Sequence, residues 1–210
     1  MFERVLDQIL THRLCCSCHS GRAASLGLCI QCKVRLPTQV QQICRPNCEF
    51  VYPLWGLMPY EGPGGAIVRS IKSRGDLWQA KHLSDHLADA VTCLPCPDAV
   101  IAIPSTPNRH FKRGFNLAEV LASAIAKALA VPHYPSALRR IDMGVQAHRS
   151  QTARREMLSQ RFECRHNALP EHLLVVDDVH TSGGTLDAAA LALLTQAGRV
   201  SGLALTSRQL

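Results

Sequence analysis

The spacing of apolar and polar residues becomes that of an alternating α/β protein from about position 51. Apolar runs typical of buried strands lie at residues 51–60, 100–103, 173–176 and 200–206. Stretches with apolar residues at helical spacing lie between or beside them, at residues 66–73, 78–94, 116–130 and 185–197. Strands that alternate with helices predict a parallel sheet flanked by helices.

The clearest predicted helix covers residues 116–130, where apolar residues recur at intervals of three and four. Asn116 is a residue type that caps helix N-termini, and Glu119 stands at the position of a capping-box partner. Pro132 follows the end of the pattern. The sequence therefore predicts a helix that starts at an asparagine cap.

Composition limits the class of protein. The chain has 210 residues, of which 47% are hydrophobic and 19% charged, so it can bury a core and is not intrinsically disordered. No apolar run has the roughly 18 residues of a membrane helix. Glu3 and Asp7 interrupt the apolar N-terminal stretch, which excludes a signal peptide. We expect a soluble, cytoplasmic protein.

The positive charge is concentrated in one part of the chain. The formal net charge is +7, and residues 101–170 hold eleven Lys and Arg against four Asp and Glu. Arg154 and Arg155 are adjacent within this stretch. Such a region suits a pyrophosphate or a nucleic acid backbone, although a solvated basic face has the same composition.

Seven of the ten cysteines lie within residues 1–48, which form a compositionally separate unit. Cys15, Cys18, Cys29 and Cys32 make two CxxC pairs separated by ten residues. Two such pairs complete a tetrahedral set of four thiolates, which suits structural zinc. Two alternatives remain at this stage: Cys16 in place of Cys15, or Cys44 and Cys48 as one of the two pairs.

The segment LLVVDDVHTSGGT, residues 173–185, joins an apolar strand to a helix through two acids and a hydroxyl- and glycine-rich turn. Backbone N–H groups at the start of a helix are unpaired, and the two glycines let a phosphate approach them. Asp177 and Asp178 are placed to accept hydrogen bonds from sugar hydroxyls. The alternative is an ordinary turn in which Asp and Thr only cap the helix.

This segment resembles the 5-phosphoribosyl-1-pyrophosphate (PRPP) signature of type I phosphoribosyltransferases. FKRGFNLAEVLA, residues 111–122, resembles a stretch of the ComF/GntX family, and so does YEGPGGAIVRSIKSRGD, residues 60–76. Members of that family have a phosphoribosyltransferase-like domain after a cysteine-rich zinc module. They are implicated in natural competence and in the use of external DNA. The resemblance implies a zinc module at residues 1–48 and a phosphoribosyltransferase-like domain at 49–210.

The resemblance also implies roles for individual residues. Asp177 and Asp178 would contact the ribose hydroxyls of PRPP, which binds together with Mg²⁺. The residues that would hold its 5-phosphate are Thr181, Ser182, Gly183, Gly184 and Thr185. The candidates for pyrophosphate contact are Ser105, Thr106, Lys72, Arg74, Arg109 and Arg113.

Thr181 occupies a position where purine-salvage members of the superfamily carry an Asp that acts on the base, so transfer to a purine is disfavoured. Two functions follow from the resemblance. The first is a phosphoribosyltransferase with an unknown acceptor. The second is a non-catalytic accessory protein of competence that senses PRPP or binds single-stranded DNA. Release of pyrophosphate from PRPP distinguishes them.

Overall fold

The computed structural model describes residues 14–44, 48–141 and 161–210. Its strands are β1 (Gln41–Gln42), β2 (Leu54–Pro59), β3 (Ala99–Ala102), β4 (Leu138–Arg140), β5 (Phe162–Cys164), β6 (His172–His180) and β7 (Arg199–Ser207). Its helices are a 3-10 turn at Ser25–Gly27 and α1 (Ile30–Lys33), α2 (Pro63–Arg74), α3 (Leu77–Ala90), α4 (Pro107–Arg113), α5 (Leu117–Leu129) and α6 (Gly184–Leu193). None of the helices in these three ranges is long and apolar enough to span a membrane.

Five strands form one sheet in the order β1-β2-β7-β6-β3. The pairs β2–β7, β7–β6 and β6–β3 are parallel, and only the short β1 is antiparallel to its neighbour. Strands β4 and β5 make a separate antiparallel pair. The predicted α/β fold, a mostly parallel sheet flanked by helices and preceded by a cysteine-rich segment, is confirmed.

Alternate residues of each strand point to opposite faces of the sheet, and both faces are covered by other elements. In β6, Leu174 and Val176 join the cluster of α2, α3 and α5, whereas Leu173 and Val175 join the cluster of α6 and the β4–β5 pair. This two-sided burial explains why the strands read as continuous apolar runs in the sequence.

The cysteine-rich segment packs against the first of these clusters. Leu26, Leu28 and Leu36 are buried together with residues of α2 and α3. The Gln79 side chain donates a hydrogen bond of 2.6 Å to the backbone carbonyl of Leu26. The boundary between residues 48 and 49 stays a prediction.

Two local expectations differ from the structure. The Asn116 side chain makes no capping bond; its Nδ2 donates instead to the carbonyl of Ile103 at 2.8 Å, so the predicted capping box with Glu119 is wrong. The stretch after β3, which showed no helical pattern, forms the short helix α4. Arg154 and Arg155 lie outside the described residues.

Candidate functional site

The two loops singled out in the sequence lie at the same edge of the sheet. Strands β3 and β6 are parallel neighbours with Ala102 opposite Val176. Residues that follow both strands therefore meet at the carboxyl edge, where ligands of open α/β sheets bind. Strand β6 continues through the two acids to His180, four residues beyond the predicted strand end.

Asp177 and Asp178 are partly buried, and their neighbouring carboxylates repel each other when both are ionised. Burial and the neighbouring Asp178 carboxylate raise the pKa of Asp177 to about 7. The Oδ1 atom of Asp177 accepts a hydrogen bond of 2.8 Å from the backbone N–H of Asp178. Asp178 in turn accepts a hydrogen bond of 2.5 Å from Lys72 Nζ on α2. One acid is thus ion-paired, and the other holds a proton readily near neutral pH.

The predicted phosphate loop connects β6 to α6. Thr181 and Ser182 are exposed, and Gly183 has a left-handed φ of 79° that starts the helix. Gly184 and Thr185 form the first turn of α6. A Cβ added at Gly184 would find its nearest neighbour, Arg161 Nη1, only at 3.9 Å. The loop therefore leaves room above its backbone, which is what a bound phosphate requires.

The predicted pyrophosphate residues fall into two groups. Ser105 and Thr106 are half-buried between β3 and α4 at the carboxyl edge, and Lys72 reaches this edge through Asp178. Arg113 binds the carbonyl of Lys72 through its Nε at 3.0 Å, which ties α4 to the end of α2. Arg74 and Arg109 are exposed, at the end of α2 and on α4.

Arg140 belongs to the site, although the sequence did not assign it there. Its Nε donates to the carbonyl of Pro104 at 3.1 Å, so strand β4 rests on the loop that follows β3. Its charge also opposes the rise in the pKa of Asp177. The only signal in the sequence was its place in the basic stretch.

Asp187 is a second residue that the sequence reading missed. Its buried carboxylate lies in the first turn of α6 and accepts hydrogen bonds of 2.8 Å from the backbone N–H groups of Glu49 and Phe50. The Cys48 thiol lies 3.7 Å from the carbonyl of Gly183. The segment that follows the cysteine-rich region is therefore fastened to the phosphate loop.

Cys15, Cys18, Cys29 and Cys32 converge, with all four sulfurs within 4.8 Å of one another. The Cys18 and Cys29 sulfurs are 3.7 Å apart, close to the roughly 3.8 Å edge of a tetrahedron with zinc–sulfur bonds of about 2.3 Å. Hydrogen bonds from the backbone of Ser20 and Gly21 lower the pKa of Cys18 to about 6. A Cβ at Gly21 would lie 2.7 Å from Cys29 Cβ, so only glycine fits there. These residues fit a tetrahedral metal ion.

The alternative ligands are placed elsewhere. Cys16 packs against the core beside this cluster, Cys44 is exposed, and Cys48 faces the phosphate loop. None of the three is part of the four-thiol cluster found among the described residues. The geometry thus favours Cys15, Cys18, Cys29 and Cys32 as the metal ligands.

The chain is similar over most of its length to bacterial proteins named for DNA use and competence. A DNA utilization protein YhgH of Salmonella typhi is 27% identical over 192 residues, which cover 86% of this chain and 84% of that protein. Competence protein F of Haemophilus influenzae is 27% identical over 193 residues, which cover 85% and 83%. No family model matches the chain.

Solved phosphoribosyltransferase structures are similar to this chain at lower sequence identity. Adenine phosphoribosyltransferase of Trypanosoma brucei, solved with AMP, pyrophosphate and ribose-5-phosphate, is 14% identical, covers 79% of this chain and 74% of its own, and has a TM-score of 0.44. That of Leishmania tarentolae is 13% identical, covers 80% and 94%, and has a TM-score of 0.43. The similarity to YhgH and competence protein F, together with the cysteine cluster, confirms the resemblance of this chain to the ComF/GntX family.

Proposed function

We propose that the chain is a phosphoribosyltransferase-like protein that binds PRPP at the carboxyl edge of its sheet and acts in the uptake or use of external DNA. The observation that carries the proposal is the order of groups along β6 and α6. Two carboxylates precede a loop with a left-handed glycine, and a helix N-terminus follows. These groups suit the two ends of a ribose 5-phosphate.

The loop between β6 and α6 suits the 5-phosphate of PRPP. The backbone N–H groups at the start of α6 are unpaired within the helix and carry its partial positive charge. Thr181, Ser182 and Thr185 add hydroxyl donors, and Gly183 and Gly184 keep the approach open. These features support a phosphomonoester at this position.

The acids provide for the sugar end, and their charge is compatible with an anionic ligand. Lys72 neutralises Asp178, and the raised pKa of Asp177 removes part of the second charge near pH 7. The edge is therefore less negative than two free carboxylates would make it. Each ionised oxygen that accepts a bond from a ribose hydroxyl contributes about 1.5–3 kcal/mol.

For the pyrophosphate end, we assign Ser105 and Thr106 to the loop that contacts the pyrophosphate. Lys72 and Arg113 are the predicted cations that we place nearest to this loop. Arg74 and Arg109 are more distant candidates in this assignment. Mg²⁺ bound with PRPP would neutralise phosphate charge and stabilise the leaving group. In a transfer reaction, the bond between C1 of the ribose and the pyrophosphate oxygen breaks, and an acceptor atom bonds to C1.

We assign structural zinc to Cys15, Cys18, Cys29 and Cys32. The spacing of the sulfurs and the backbone bonds that lower the pKa of Cys18 support this assignment. Zinc would supply folding energy to a segment with a small core of its own. Reduced thiols of this kind fit the cytoplasmic location that the sequence predicts.

The role in DNA uptake or utilisation comes from the names of the relatives and is part of the proposal. The non-catalytic alternative is a protein that senses PRPP or binds single-stranded DNA for the competence machinery. Thr181, in place of the purine-salvage aspartate, favours this alternative over purine transfer. Both alternatives require the same PRPP site.

A thermal melt with increasing PRPP and Mg²⁺ tests the shared site. A ligand that binds only the folded state stabilises it by about 2.7 kcal/mol at one hundred times its Kd, so the melting temperature rises with dose. No shift with PRPP, ribose 5-phosphate or pyrophosphate would reject the proposal. Release of pyrophosphate with candidate acceptors then separates the enzyme from the sensor.

A further inference from the structure

Helix α4 is unusual because it buries no residue. Its seven residues, Pro107–Arg113, are attached mainly at the C-terminal end, through the bond from Arg113 to the carbonyl of Lys72. Phe111 is 90% exposed, more than any other large hydrophobic residue among those described. An aromatic side chain held on a surface helix without a packing partner offers a stacking platform.

Cationic side chains are exposed on the same helix as this aromatic ring. Arg109, His110 and Lys112 are all exposed on the same helix. Arg109 and Lys112 are three residues apart and therefore neighbours on the helix surface. Within the described ranges, no carboxylate lies within 4.0 Å of Arg109 or Lys112. Their charges are available to an anionic ligand.

A cleft of about 700 Å³ opens beside this helix. Pro107, His110 and Phe111 contribute the α4 side, and Ala102, Pro104 and Leu138 contribute apolar surface from β3, its loop and β4. The polar residues of the lining are Ser105, Asn116, Glu119 and Ser136. This size and mixture match a site for a flat heterocycle with a few polar contacts.

We propose that α4 and this cleft form a binding site for single-stranded nucleic acid. A base enters the cleft against Phe111, and the phosphates on either side of it contact Arg109 and Lys112. The inference rests on the proposed function only for its biological setting. Two residues are shared with the proposed PRPP site: Ser105 lines the cleft, and Arg109 is one of the more distant candidates for pyrophosphate contact. Phe111 and Lys112 are assigned to the α4 site alone.

A single strand fits these features better than a duplex or a free nucleotide. A base can enter a cleft and stack on an aromatic ring only when it is unpaired. Arg109 and Lys112 can each contact a different phosphate of a strand, whereas a mononucleotide offers only one. Cations beside an aromatic ring are typical of surfaces that follow a single strand.

The polar groups of the cleft predict a preference among bases. Asn116 uses its Nδ2 as donor to Ile103, which leaves its Oδ1 as an acceptor. Glu119 adds a carboxylate, whose Oε1 lies 3.2 Å from His133 Nε2 and whose Oε2 is the remaining acceptor. Two acceptors select bases with an exocyclic amino group, such as cytosine, over thymine. We therefore expect a dC strand to bind more tightly than a dT strand of the same length and charge.

Fluorescence anisotropy with labelled strands of equal length tests the proposal: oligo-dC, oligo-dT and a fully abasic strand. The expected order of affinity is dC, then dT, then abasic. Phe111→Ala should weaken binding of the dC and dT strands about five- to one-hundred-fold and the abasic strand little, because only the bases stack. Lys112→Gln should weaken all three and reduce the slope of log affinity against log salt by about 0.7.

Trp78→Ala is the matched control, since Trp78 is 62% exposed but lies on α3. It should leave all three affinities unchanged. Equal affinities for the three strands, or equal losses from Phe111→Ala and Trp78→Ala, would overturn the proposal. Free dCMP that binds as tightly as the dC strand would overturn the assignment to a strand.

PRPP melts on the same variants keep this result separate from the proposed function. Phe111→Ala should retain the response of the wild type to PRPP and Mg²⁺. If the wild type binds strands but not PRPP, the PRPP proposal fails and the α4 site stands. If it binds PRPP but shows no dependence on bases, the α4 site fails alone.

Discussion

The four-cysteine cluster and the carboxyl edge of the sheet both collect ionisable groups, but they are held by different means. The thiols lie on short turns, and local backbone groups and Gly21 set their positions. The acids lie at the end of a strand that is buried among neighbours. In our proposal a metal ion balances the thiolates of the first arrangement, whereas Lys72 and a proton balance the charge of the second.

Among the variants that test this comparison, the loss of one thiol should change the protein most. In Cys29→Ser, zinc should fall from about one ion per chain to near zero, because three thiolates bind it far more weakly than four. Amide hydrogen exchange should accelerate at residues 15–32 and stay slow in β6 and β7. Elemental analysis and exchange measure both effects.

Cys16→Ser is the control, since Cys16 is adjacent in sequence to Cys15 but outside the cluster. It should keep its zinc. A full equivalent of zinc in Cys29→Ser would show that the ligand assignment is wrong.

A pair of glycine substitutions sharpens the same contrast. Gly21→Ala places a Cβ 2.7 Å from Cys29 Cβ and should cost about 1–3 kcal/mol of stability in the zinc-bound protein. Gly184→Ala meets no atom closer than 3.9 Å, so it should change the unfolding free energy by less than about 0.5 kcal/mol. Gly184→Ala should nevertheless weaken PRPP binding, since its methyl group occupies the space above the loop.

Urea unfolding and calorimetry measure the two effects. If Gly184→Ala were as destabilising as Gly21→Ala, the loop would be packed against the protein rather than open for a ligand.

A smaller effect is expected from the pH dependence of Asp177. Its folded pKa of about 7 lies above the unfolded value of 3.8, so the folded state binds more protons between these values. The stability contributed by this group is therefore lost as pH rises from about 4 to 7. The Asp177→Asn variant does not undergo this loss. At pH 8 its free energy of unfolding should therefore exceed that of the wild type by about 1 kcal/mol.

Urea unfolding of both proteins from pH 4.5 to 8 tests this sign. His172 and His180, whose pKa values burial lowers, are common to both proteins and cancel in the difference. A difference that is constant across the range would show that Asp177 titrates normally.

The sequence predicted the large elements because burial imposes a period on them. The two-sided burial of β6 explains the run at residues 173–176, and the one-sided burial of α5 explains its spacing at three and four. The four thiols were predictable because the CxxC turns are local. Helix α4 was not predictable in this way, since none of its residues is buried.

The partners within the site were also beyond sequence reasoning. Lys72 and Asp178 are 106 residues apart, and only the packing of α2 on the sheet brings them together. The capping prediction at Asn116 failed for a related reason. A long-range acceptor, the carbonyl of Ile103, competes for the side chain that local spacing assigns to the helix.

The central claim, that the carboxyl edge binds PRPP through its two acids, is tested most directly by titration calorimetry with PRPP and Mg²⁺. At pH 8, where Asp177 as well as Asp178 is ionised, Asp177→Asn with Asp178→Asn should weaken binding roughly 100- to 10,000-fold, because two charged acceptors are lost and the amides are nearly the same shape. Asp89→Asn, an exposed acid on α3, is the control and should bind as the wild type does. Unchanged affinity in the double variant would contradict the claim.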